Sequence, residues 1–241
     1  MHISIIVPVY NEATCLEKNI KIFVDYLEKQ TYDYELIIVN DGSVDDTSQI
    51  AKQLQRDYSQ VSLIDNNINK GKGAVVKQGF LVANGDYKLF LDADNATSID
   101  HLDKVWTLFD KDYDIVIGSR NPKDAPGAEQ IKMQAGWKRI IGKCGNILIQ
   151  MFLVWGIWDT QCGFKVFTQD SLQKIIPRLS INRWLFDAEI LTIANKQNLK
   201  IGKIPVSWKN ADITRVSISG YLNSLREILK IAYNKITGKY S

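Results

Sequence analysis

The 241-residue sequence predicts a single α/β domain, built on a mostly parallel sheet with helices on both faces. Short β-branched and aliphatic runs, typical of strands buried on both faces, alternate with segments whose apolar residues recur at helical spacing. Several of these runs end in clusters of Asn, Asp, Gly and Ser, as expected where parallel strands deliver loops to a ligand. The length is sufficient for one domain with its own core.

The predicted elements follow one another in a regular order through the first half of the chain. Ile3–Val9 is a β-branched run that indicates a buried strand, and Leu16, Ile20 and Leu27 then recur at helical spacing. The same patterns predict further strands at 36–39, 61–64, 86–91 and 114–118, and further helices at 44–55, 74–83 and 99–109. Strands that alternate with helices favour parallel pairing.

The pattern changes after Arg120. A loop rich in Pro and Gly at 121–127 leads into a long helical stretch predicted over 131–158, which is basic at its start and apolar from 147 onward. The remaining predictions are a strand with a turn at 159–168, a helix at 188–196, a strand at 201–206 and a basic amphipathic helix at 218–236. We expect residues 1–210 to form one catalytic domain and residues 211–241 to form a helical extension of it.

Positive charge is concentrated in two segments, although the net charge of the chain is only +3. Residues 200–241 hold eight Lys and Arg against two acids, residues 120–145 hold six against two, and the remainder is net negative. Such asymmetry indicates an anionic partner near the basic segments. A nucleic acid, a membrane surface and a phosphorylated lipid all fit this observation.

The inventory of reactive side chains excludes several kinds of site. His2 and His101 are the only histidines, so neither a His-based triad nor a multi-His metal site is expected. Three widely spaced cysteines predict neither a disulfide framework nor a zinc cluster, and they suit a reducing cytosol. Met1 and His2 run directly into the first strand, so no signal peptide is predicted. No apolar run reaches the ~18 residues of a spanning helix.

Two carboxylates, Asp92 and Asp94, follow the apolar run 89–91 at the predicted end of a strand. Ligands collect at the carboxyl ends of parallel strands. Carboxylate oxygens suit Mg²⁺ or Mn²⁺, and Mg²⁺ shares its coordination shell with substrate phosphates. The pair therefore predicts a cation bound to a diphosphate, although Asp and Asn are also common in ordinary strand-end turns.

Two earlier loops strengthen this prediction. Pro8-Val9-Tyr10-Asn11-Glu12 and Asn40-Asp41-Gly42-Ser43 end the first two strands, so polar loops follow three strands of one sheet. The loop Gly71-Lys72-Gly73 opens a helix and suits an anion, but it lacks the spacing of a P-loop. No Gly-x-Gly-x-x-Gly follows any strand, which argues against a dehydrogenase. We therefore predict a nucleotide-diphosphate site.

These motifs together resemble family 2 glycosyltransferases of the GT-A fold over roughly residues 3–210. Two later motifs, Gly118-Ser119-Arg120 and Asp159-Thr160-Gln161-Cys162-Gly163-Phe164-Lys165, resemble the branch that glycosylates polyprenyl phosphates. The second of these is most similar to dolichyl-phosphate β-glucosyltransferases. The resemblance implies a GT-A fold, in which a Rossmann-like, mostly parallel sheet carries helices on both faces, here with a C-terminal amphipathic helix in addition.

The resemblance also implies roles on the donor side. Asp41 is expected to contact the nucleotide base, Asp92 to lie near the ribose and the metal, and Asp94 to ligate Mg²⁺ or Mn²⁺ directly. One position departs from the family, which usually has Asp-Asp-Gly-Ser where this chain begins with Asn40; an amide serves equally well there if the position only orders the loop. The full set of expected donor contacts is Pro8, Tyr10, Glu12, Asp41, Gly71, Lys72 and Asp92.

On the acceptor side, Asp159 is the expected catalytic carboxylate. It could act as a general base toward a hydroxyl acceptor, or it could position a lipid phosphate, which is already an anion and needs no base. Asp187 and Glu189 are a second pair of candidate acids, ranked below Asp159. Contacts with the acceptor phosphate are expected from Arg120, Lys132, Arg139, Gln161, Lys165 and Arg215, and Arg120 is also expected to be catalytic.

The resemblance implies an inverting enzyme that moves a hexose, expected to be glucose from UDP-glucose, to a dolichyl or undecaprenyl phosphate. The apolar segment 150–158 and the helix 218–236, with Leu222, Leu225, Leu229 and Ala232 on one side, predict a cytoplasmic protein attached peripherally to the inner face of a membrane. No nucleic-acid partner is then expected, and a homo-oligomer stays open. Two alternatives also stay open, a saccharide or other hydroxyl acceptor and a non-catalytic nucleotide-sugar-binding regulatory module.

Overall fold

The computed structural model describes residues 1–130, 145–208 and 218–241, with the side chains at 130 and 218–222 excepted. The strands in these residues are β1 (His2–Val9), β2 (Asp33–Asp41), β3 (Val61–Asn66), β4 (Tyr87–Leu91), β5 (Ile115–Ser119), β6 (Glu129–Gln130), β7 (Phe164–Thr168), β8 (Ile201–Pro205) and β9 (Ser207–Trp208). The helices are α1 (Leu16–Leu27), α2 (Thr47–Asp57), α3 (Lys72–Val82), α4 (Trp106–Phe109), α5 (residues 145–152), α6 (Gln169–Ile175), α7 (Phe186–Lys196) and α8 (Ile218–Ile236). Two 3₁₀ turns, Ile99–Lys104 and Ile176–Arg178, join them.

Seven of the described strands form one sheet in the order β3-β2-β1-β4-β7-β5-β8. All neighbours in it are parallel except β7, which runs antiparallel to both β4 and β5. The strands β6 and β9 form a small parallel pair beside this sheet. The predicted α/β class with a mostly parallel sheet is confirmed, and the carboxyl ends of β1, β2 and β4 lie side by side at one edge.

The core occupies both faces of the sheet, as the alternation along β1 shows. Ile5 and Val7 pack on the side of α1, in a cluster that contains Phe23, whereas Ile6 packs on the side of α3 and α7, in a cluster that contains Phe186. All five side chains are buried. Strands covered on both faces explain why their sequences are nearly continuous apolar runs.

Two predicted elements differ from the structure, and one helix was not predicted. The helix predicted over 131–158 is described only from residue 145, and it ends at 152. Its end is fixed by Gln150, whose Oε1 accepts from the N–H of Gly156 and whose Nε2 donates to the carbonyl of Ile157, so the side chain bonds a turn where φ of Gly156 is 83°. The predicted helix 99–109 is a 3₁₀ turn followed by α4, and α6 was not predicted.

The C-terminal helix α8 packs on the same core as the sheet. Ile228, Ile231 and Tyr240 belong to the apolar cluster that includes α7. The predicted amphipathic helix at 218–236 is therefore present with the expected bounds. The division of the chain at 210/211 stays a prediction, because residues 209–217 lie outside the described part of the chain.

Candidate active site

The loop that carries Asp92 and Asp94 is anchored from two sides where β4 ends. The backbone N–H of Asp92 donates to the carbonyl of Gly163 over 3.0 Å. From α1, Asn19 donates its Nδ2 to the carbonyl of Ala93 over 2.7 Å, and this contact is buried. The two anchors hold the carboxylate pair against the segment that precedes β7, so the two motifs singled out in the sequence meet here.

Gly163 is the residue that permits this close approach. A Cβ at position 163 would lie 1.9 Å from Oδ2 and 2.2 Å from Cγ of Asp92. Any other residue would therefore have to displace the Asp92 carboxylate. Gly163 is thus the residue of the motif 159–165 that lets the Asp92 carboxylate lie against this segment.

Lys72, in the first turn of α3, forms an ion pair with Asp92, with Nζ and Oδ1 2.6 Å apart. Its ammonium also lies over the rings of Phe90, 5.1 Å from the centroid, and Trp184, 5.7 Å from the centroid. Burial favours the neutral amine, but the charges of Asp92 and Asp187 outweigh it and raise the pKa of Lys72. Lys72 is therefore a firmly held cation beside the carboxylate pair.

Asp94 lies at the solvent side of the loop, and its Oδ1 accepts from the N–H of Ala96 over 3.0 Å. Partial desolvation by the surrounding protein raises the pKa of Asp94, and the nearby charges of Asp92 and Glu12 add to this effect. Next to it, Asn95 has a positive φ of 52°, and its Oδ1 is buried without a hydrogen-bond partner in the described residues. At Asp94 and Asn95, hydrogen-bond acceptors therefore outnumber the donors that the described residues supply.

This donor set fits a divalent cation of the Mg²⁺ or Mn²⁺ type. The available groups are oxygens, two of them carboxylates, and the mutual repulsion at Asp94 is what a cation would relieve. Within the described ranges, no set of three His, Cys, Asp or Glu side chains is placed to hold a metal ion. A cation here would therefore complete its shell with water or substrate oxygens, as Mg²⁺ does in phosphate-binding sites.

The side of the site where the sequence predicts the nucleotide is built from the ends of β1 and β2. Asp41 is buried, and its carboxylate accepts from the N–H groups of Lys70 and Gly71 at 2.6 and 3.0 Å. Burial raises the pKa of Asp41, and the two N–H donors oppose this rise. Gly71 has φ of 96°, and a Cβ there would lie 2.4 Å from the carbonyl oxygen of Asn182, so glycine is required at the start of α3.

The other predicted donor residues lie at the same edge of the sheet. Pro8 is buried within β1, Tyr10 is 39% exposed and Glu12 is half-buried. The loop they form is fixed to the next one, because the N–H of Glu12 donates to Thr47 Oγ1 over 2.8 Å. The loop follows β1, which is the parallel neighbour of β4, so it lies at the same edge of the sheet as the carboxylate pair.

Arg120 and Asp159 form a bidentate ion pair at the other side of the Gly163 segment. Nε and Nη2 of Arg120 donate to Oδ2 and Oδ1 of Asp159 at 2.8 and 2.7 Å, and the Arg120 N–H donates to Oδ2 over 2.8 Å. Burial favours the neutral acid, but Arg120 outweighs it and holds the pKa of Asp159 below its usual value. Asp124, which the sequence did not single out, accepts from the N–H groups of Trp158 and Asp159 and fixes the segment.

Lys165 lies in the interior rather than at the surface. Its Nζ is fully buried and donates to Asp187 Oδ1 and to the carbonyl of Cys162, each over 2.6 Å. This placement argues against the predicted contact between Lys165 and an acceptor phosphate, because the ammonium of Lys165 already forms an ion pair with the buried carboxylate of Asp187. Burial raises the pKa of Asp187, and Lys165 and Lys72 lower it only in part.

Glu189, the lower-ranked candidate acid next to Asp187, is fully buried and fully engaged. Its carboxylate accepts from the N–H groups of Ser180 and Ile181, from Ser180 Oγ and from Tyr240 OH, at 2.6 to 3.0 Å. Glu189 therefore joins α7 to the C-terminal segment and is not placed to act on a substrate. This network could not be predicted from the sequence, because the Tyr240 donor lies 51 residues away and the Ser180 and Ile181 donors belong to a loop with no motif.

The remaining predicted acceptor residues stay predictions. Gln161 is exposed at the turn before Cys162. Lys132, Arg139 and Arg215 lie outside the described residues. Asn19, Asp124 and Trp184 are site residues that sequence reasoning missed; each belongs to a helix or loop with no motif of its own, so only the folded contacts identify them.

Comparisons with known proteins agree with this geometry. The family model described as Glycosyl transferase family 2 matches residues 4–176. A dolichyl-phosphate beta-glucosyltransferase of Trichomonas vaginalis is 34% identical over 96% of this chain and 73% of its own length. Enzymes with the same description from Saccharomyces cerevisiae and Homo sapiens are 33% and 30% identical, over 90% and 99% of this chain and 70% and 77% of their own lengths.

Solved structures show the same fold at low sequence identity. Mannosyl-3-phosphoglycerate synthase from Rubrobacter xylanophilus has a TM-score of 0.70 at 16% identity, over 99% of this chain and 75% of that one. A mannosyltransferase from Pyrobaculum calidifontis in complex with GDP-Man and Mn²⁺ has a TM-score of 0.62 at 17% identity, over 98% of this chain and 64% of that one. The sheet with its crossover helices is thus the GT-A fold, and the chain belongs to glycosyltransferase family 2.

Proposed function

We propose that this glycosyltransferase moves glucose from UDP-glucose to dolichyl phosphate or a similar polyprenyl phosphate, with inversion at the anomeric carbon. The observation that carries the proposal is the contact between the two motifs, in which Asp92, paired with Lys72, lies against Gly163 of the motif that begins at Asp159. The relatives at 30–34% identity, which are dolichyl-phosphate beta-glucosyltransferases, support this acceptor and this sugar.

On the donor side, Asp94 and Asp92 would hold Mg²⁺ or Mn²⁺, which supplies Lewis-acid neutralisation of the leaving diphosphate when bound. Lys72 contributes a second positive charge within reach of the same carboxylates, and its position at the start of α3 suits an anion. We assign Asp41 to the nucleoside and the loops with Pro8, Tyr10 and Glu12 to the walls of its pocket, together with the backbone of Gly71. Their common edge of the sheet supports these roles.

The acceptor reaction needs no protein base. A phosphate monoester has a second pKa near 6, so the lipid phosphate is largely dianionic near neutral pH. Its oxygen attacks the anomeric carbon, the bond from that carbon to the diphosphate oxygen breaks, and UDP leaves. Among the residues that the structure describes, we assign Arg120 to the acceptor phosphate, with its guanidinium oriented by Asp159.

A hydroxyl acceptor would place a different demand on the site. A base would be required, and Asp159 is held by Arg120 with a lowered pKa while Glu189 is saturated by four donors. Asp187 has a raised pKa but is buried beside Lys165. These placements favour the lipid phosphate over a saccharide.

The test is a matrix of donors and acceptors read by product mass. UDP-glucose, GDP-mannose and UDP-N-acetylglucosamine are each offered with dolichyl phosphate, undecaprenyl phosphate and free oligosaccharides, with Mg²⁺ or Mn²⁺. We expect glucosyl phospholipid from UDP-glucose alone. Transfer to an oligosaccharide without lipid phosphate would contradict the proposed acceptor, and donor binding with neither transfer nor hydrolysis would instead indicate a regulatory module.

Asp94→Ala tests the metal assignment separately. We expect transfer to fall by about 10²-fold or more, with an unchanged far-ultraviolet circular dichroism spectrum and loss of Mn²⁺ binding in electron paramagnetic resonance titrations. Asp110→Asn, at an exposed acid remote from β4, is the control. Full activity of purified Asp94→Ala would show that Asp94 is not a required metal ligand.

We further propose that the protein works at the cytoplasmic face of a membrane, attached by the outer faces of α5 and α8. Searched over its described residues, the chain contains no helix that is both long and apolar enough to span a bilayer. On α8 an exposed apolar stripe, 45–84% accessible, lies opposite the side buried on Ile228 and Ile231; its members are Leu225, Leu229, Tyr233 and Ile236. The predicted apolar side shares Leu225 and Leu229 with this stripe, whereas Ala232 packs toward the core and the side chain of Leu222 lies outside the described residues.

The outer face of α5 continues this surface. Ile147, Met151, Phe152 and Trp155 are 49–79% exposed, and Lys235 of α8 donates to the carbonyls of Phe152 and Leu153 at 3.1 and 2.7 Å. Arg226 and Lys230 flank the α8 stripe. Apolar side chains bordered by cations are typical of helices that lie in an anionic membrane interface.

Vesicle co-sedimentation tests this surface. We expect binding to phosphatidylcholine vesicles that contain phosphatidylserine, and loss of binding in Leu229→Glu/Tyr233→Glu, with Val44→Glu, at another exposed apolar residue, as the control. The alternative outcome is that wild type does not bind vesicles but forms dimers, and that the same double variant dissociates them. This result would show that the face joins two copies of the chain.

A further inference from the structure

Asn40, at the end of β2, donates its Nδ2 to Asp65 Oδ1 at the end of β3 over 2.7 Å. Its Oδ1 accepts from the hydroxyl and the N–H of Ser43 at 2.5 and 3.2 Å. The residue is 1% exposed, so both ends of a buried amide are satisfied. Asp65 completes its own shell with Ser48 Oγ and Lys52 Nζ on α2, each 2.7 Å away.

This pair lies at the centre of a network that joins the loops of the nucleotide side. Ser43 Oγ accepts from the N–H of Asn11 over 2.9 Å, and Asn11 Oδ1 accepts from the N–H of Val44 over 2.9 Å. The backbone carbonyl of Asn40 accepts from Asn66 Nδ2 over 2.9 Å. The loop Asp41-Gly42-Ser43 is therefore fixed from β1 on one side and from β3 on the other.

We infer that Asp65 is a positioning residue for the nucleotide pocket, and that it acts through Asn40. A carboxylate at position 40 could not donate to Asp65, and it would place a buried negative charge at hydrogen-bond distance from the charge of the exposed Asp65, which is unfavourable. The amide at 40 and the acid at 65 are thus a matched donor and acceptor.

The hydrogen bond between Asn40 and Asp65 is also linked to Asp41 through neighbouring contacts. Asn66, which follows Asp65, accepts from Lys70 Nζ over 2.6 Å, and the N–H of Lys70 donates to Asp41 over 2.6 Å. A displaced end of β3 would therefore shift both the backbone of the Ser43 loop and the groups that hold Asp41. The inference rests on the proposed nucleotide donor, because the pocket it concerns is that of the nucleoside.

The test compares Asn40→Asp, Asp65→Asn and the exchange of both, Asn40→Asp/Asp65→Asn. In the exchange the amide at 65 donates to the acid at 40, so the hydrogen bond returns with reversed polarity. Asn67→Asp, which adds the same charge at an exposed neighbouring position, is the matched control. The readouts are UDP affinity by calorimetry, kcat and KM for the donor, and hydrogen exchange of the amides at 41–44.

We expect Asn40→Asp to weaken UDP binding about tenfold or more and to speed exchange at 41–44, with KM for the donor raised more than kcat is lowered. Asp65→Asn keeps an acceptor for Asn40 but loses the charge that pairs with Lys52, so it is expected to weaken UDP binding, though less than Asn40→Asp does. The exchange is expected to recover most of the affinity that Asn40→Asp loses, and Asn67→Asp is expected to remain within about threefold of wild type. Relative to wild type, Asn40→Asp should recover affinity as the pH falls from about 7 to about 5.5, since two close carboxylates share a proton.

An exchange variant as impaired as Asn40→Asp, or an Asn40→Asp variant like wild type, would overturn the inference. If wild type binds neither UDP nor GDP, the proposed donor fails, and the hydrogen-exchange pattern of the four variants still decides whether Asp65 positions the loop. The two failures are therefore distinguishable.

Discussion

Arg120 and Asp159 lie 39 residues apart in sequence, and Asp159 accepts three hydrogen bonds from Arg120. The pair connects the end of β5 with the segment before β7, the strand that runs against its neighbours. Arg120 also lies over the ring of Trp208, 5.1 Å from its centroid. Asp159 is therefore occupied in orienting a cation, and a role as a proton acceptor is disfavoured.

The first prediction concerns the stability that this pair contributes. Asp159→Asn should lower the free energy of unfolding at neutral pH by about 3 kcal/mol, because it leaves the mostly buried guanidinium of Arg120 without its counter-ion. Arg120→Gln/Asp159→Asn should lose less than the sum of the single variants. Urea denaturation of the three variants measures the coupling, and additive losses would show that the pair is energetically independent.

The pair also makes stability depend on pH in a defined direction. The pKa of Asp159 is lowered in the folded protein, so its contribution is present above the unfolded pKa of about 4. That contribution is lost as the pH falls through the folded value. Wild type should therefore lose stability more steeply than Asp159→Asn below about pH 4, measured by urea denaturation across that range. Parallel curves would show that protonation of Asp159 does not contribute to the loss of stability at low pH.

The second prediction concerns the contact between Gly163 and Asp92. Gly163→Ala places a methyl group where the Asp92 carboxylate lies, so Asp92 must move. We expect Mn²⁺ affinity and transfer to fall about tenfold or more. Gly145→Ala, where a Cβ has nothing within 4 Å, is the control. Unchanged Mn²⁺ binding in Gly163→Ala would mean that Asp92 can shift without cost to the metal site.

The third prediction concerns the buried pair of Lys165 and Asp187. Lys165→Met should destabilise the fold by about 3–5 kcal/mol, because Asp187 loses the partner that offsets its burial. Lys165→Met/Asp187→Leu should recover part of this loss, since an apolar pair leaves no unpaired charge. Denaturant titrations measure both. Lys165→Met with wild-type stability and raised KM for lipid phosphate would restore the predicted acceptor role.

The sequence was sufficient for the fold class and for the edge of the sheet that carries the site. Strands such as Ile3–Val9 are buried on both faces, so their apolar runs are unambiguous, and the polar residues that follow them mark the ligand edge. The contact of Asp92 with the Gly163 segment could not be predicted, because it depends on the antiparallel entry of β7 between β4 and β5.

Charged residues within strands were the least predictable part of the site. Lys165 lies in a motif with Asp159 and Gln161, and sequence proximity suggested a shared ligand. The alternation of side chains along β7 instead sends Lys165 into the interior toward Asp187 on α7. Such pairings depend on which helix covers which face, and the local pattern does not carry that information.

The last prediction concerns Tyr240, whose hydroxyl donates to Glu189 over 2.6 Å and accepts from Asn234 over 3.2 Å in a buried position. Burial raises the pKa of Tyr240, and the hydrogen bond with Glu189 adds to this, so the phenol stays neutral. Tyr240→Phe should lower the free energy of unfolding by about 1–3 kcal/mol, because it leaves a buried carboxylate short of one donor.

Transfer by Tyr240→Phe should stay close to wild type in kcat, since Glu189 links α7 to the C-terminal segment and does not contact the carboxylate pair. Tyr233→Phe, on the exposed face of α8, is the matched control and should be neutral in both assays. Thermal denaturation and steady-state transfer at saturating donor separate the two effects. A large fall in kcat with unchanged stability would return Glu189 to the catalytic candidates, since the network would then serve the chemistry rather than the fold.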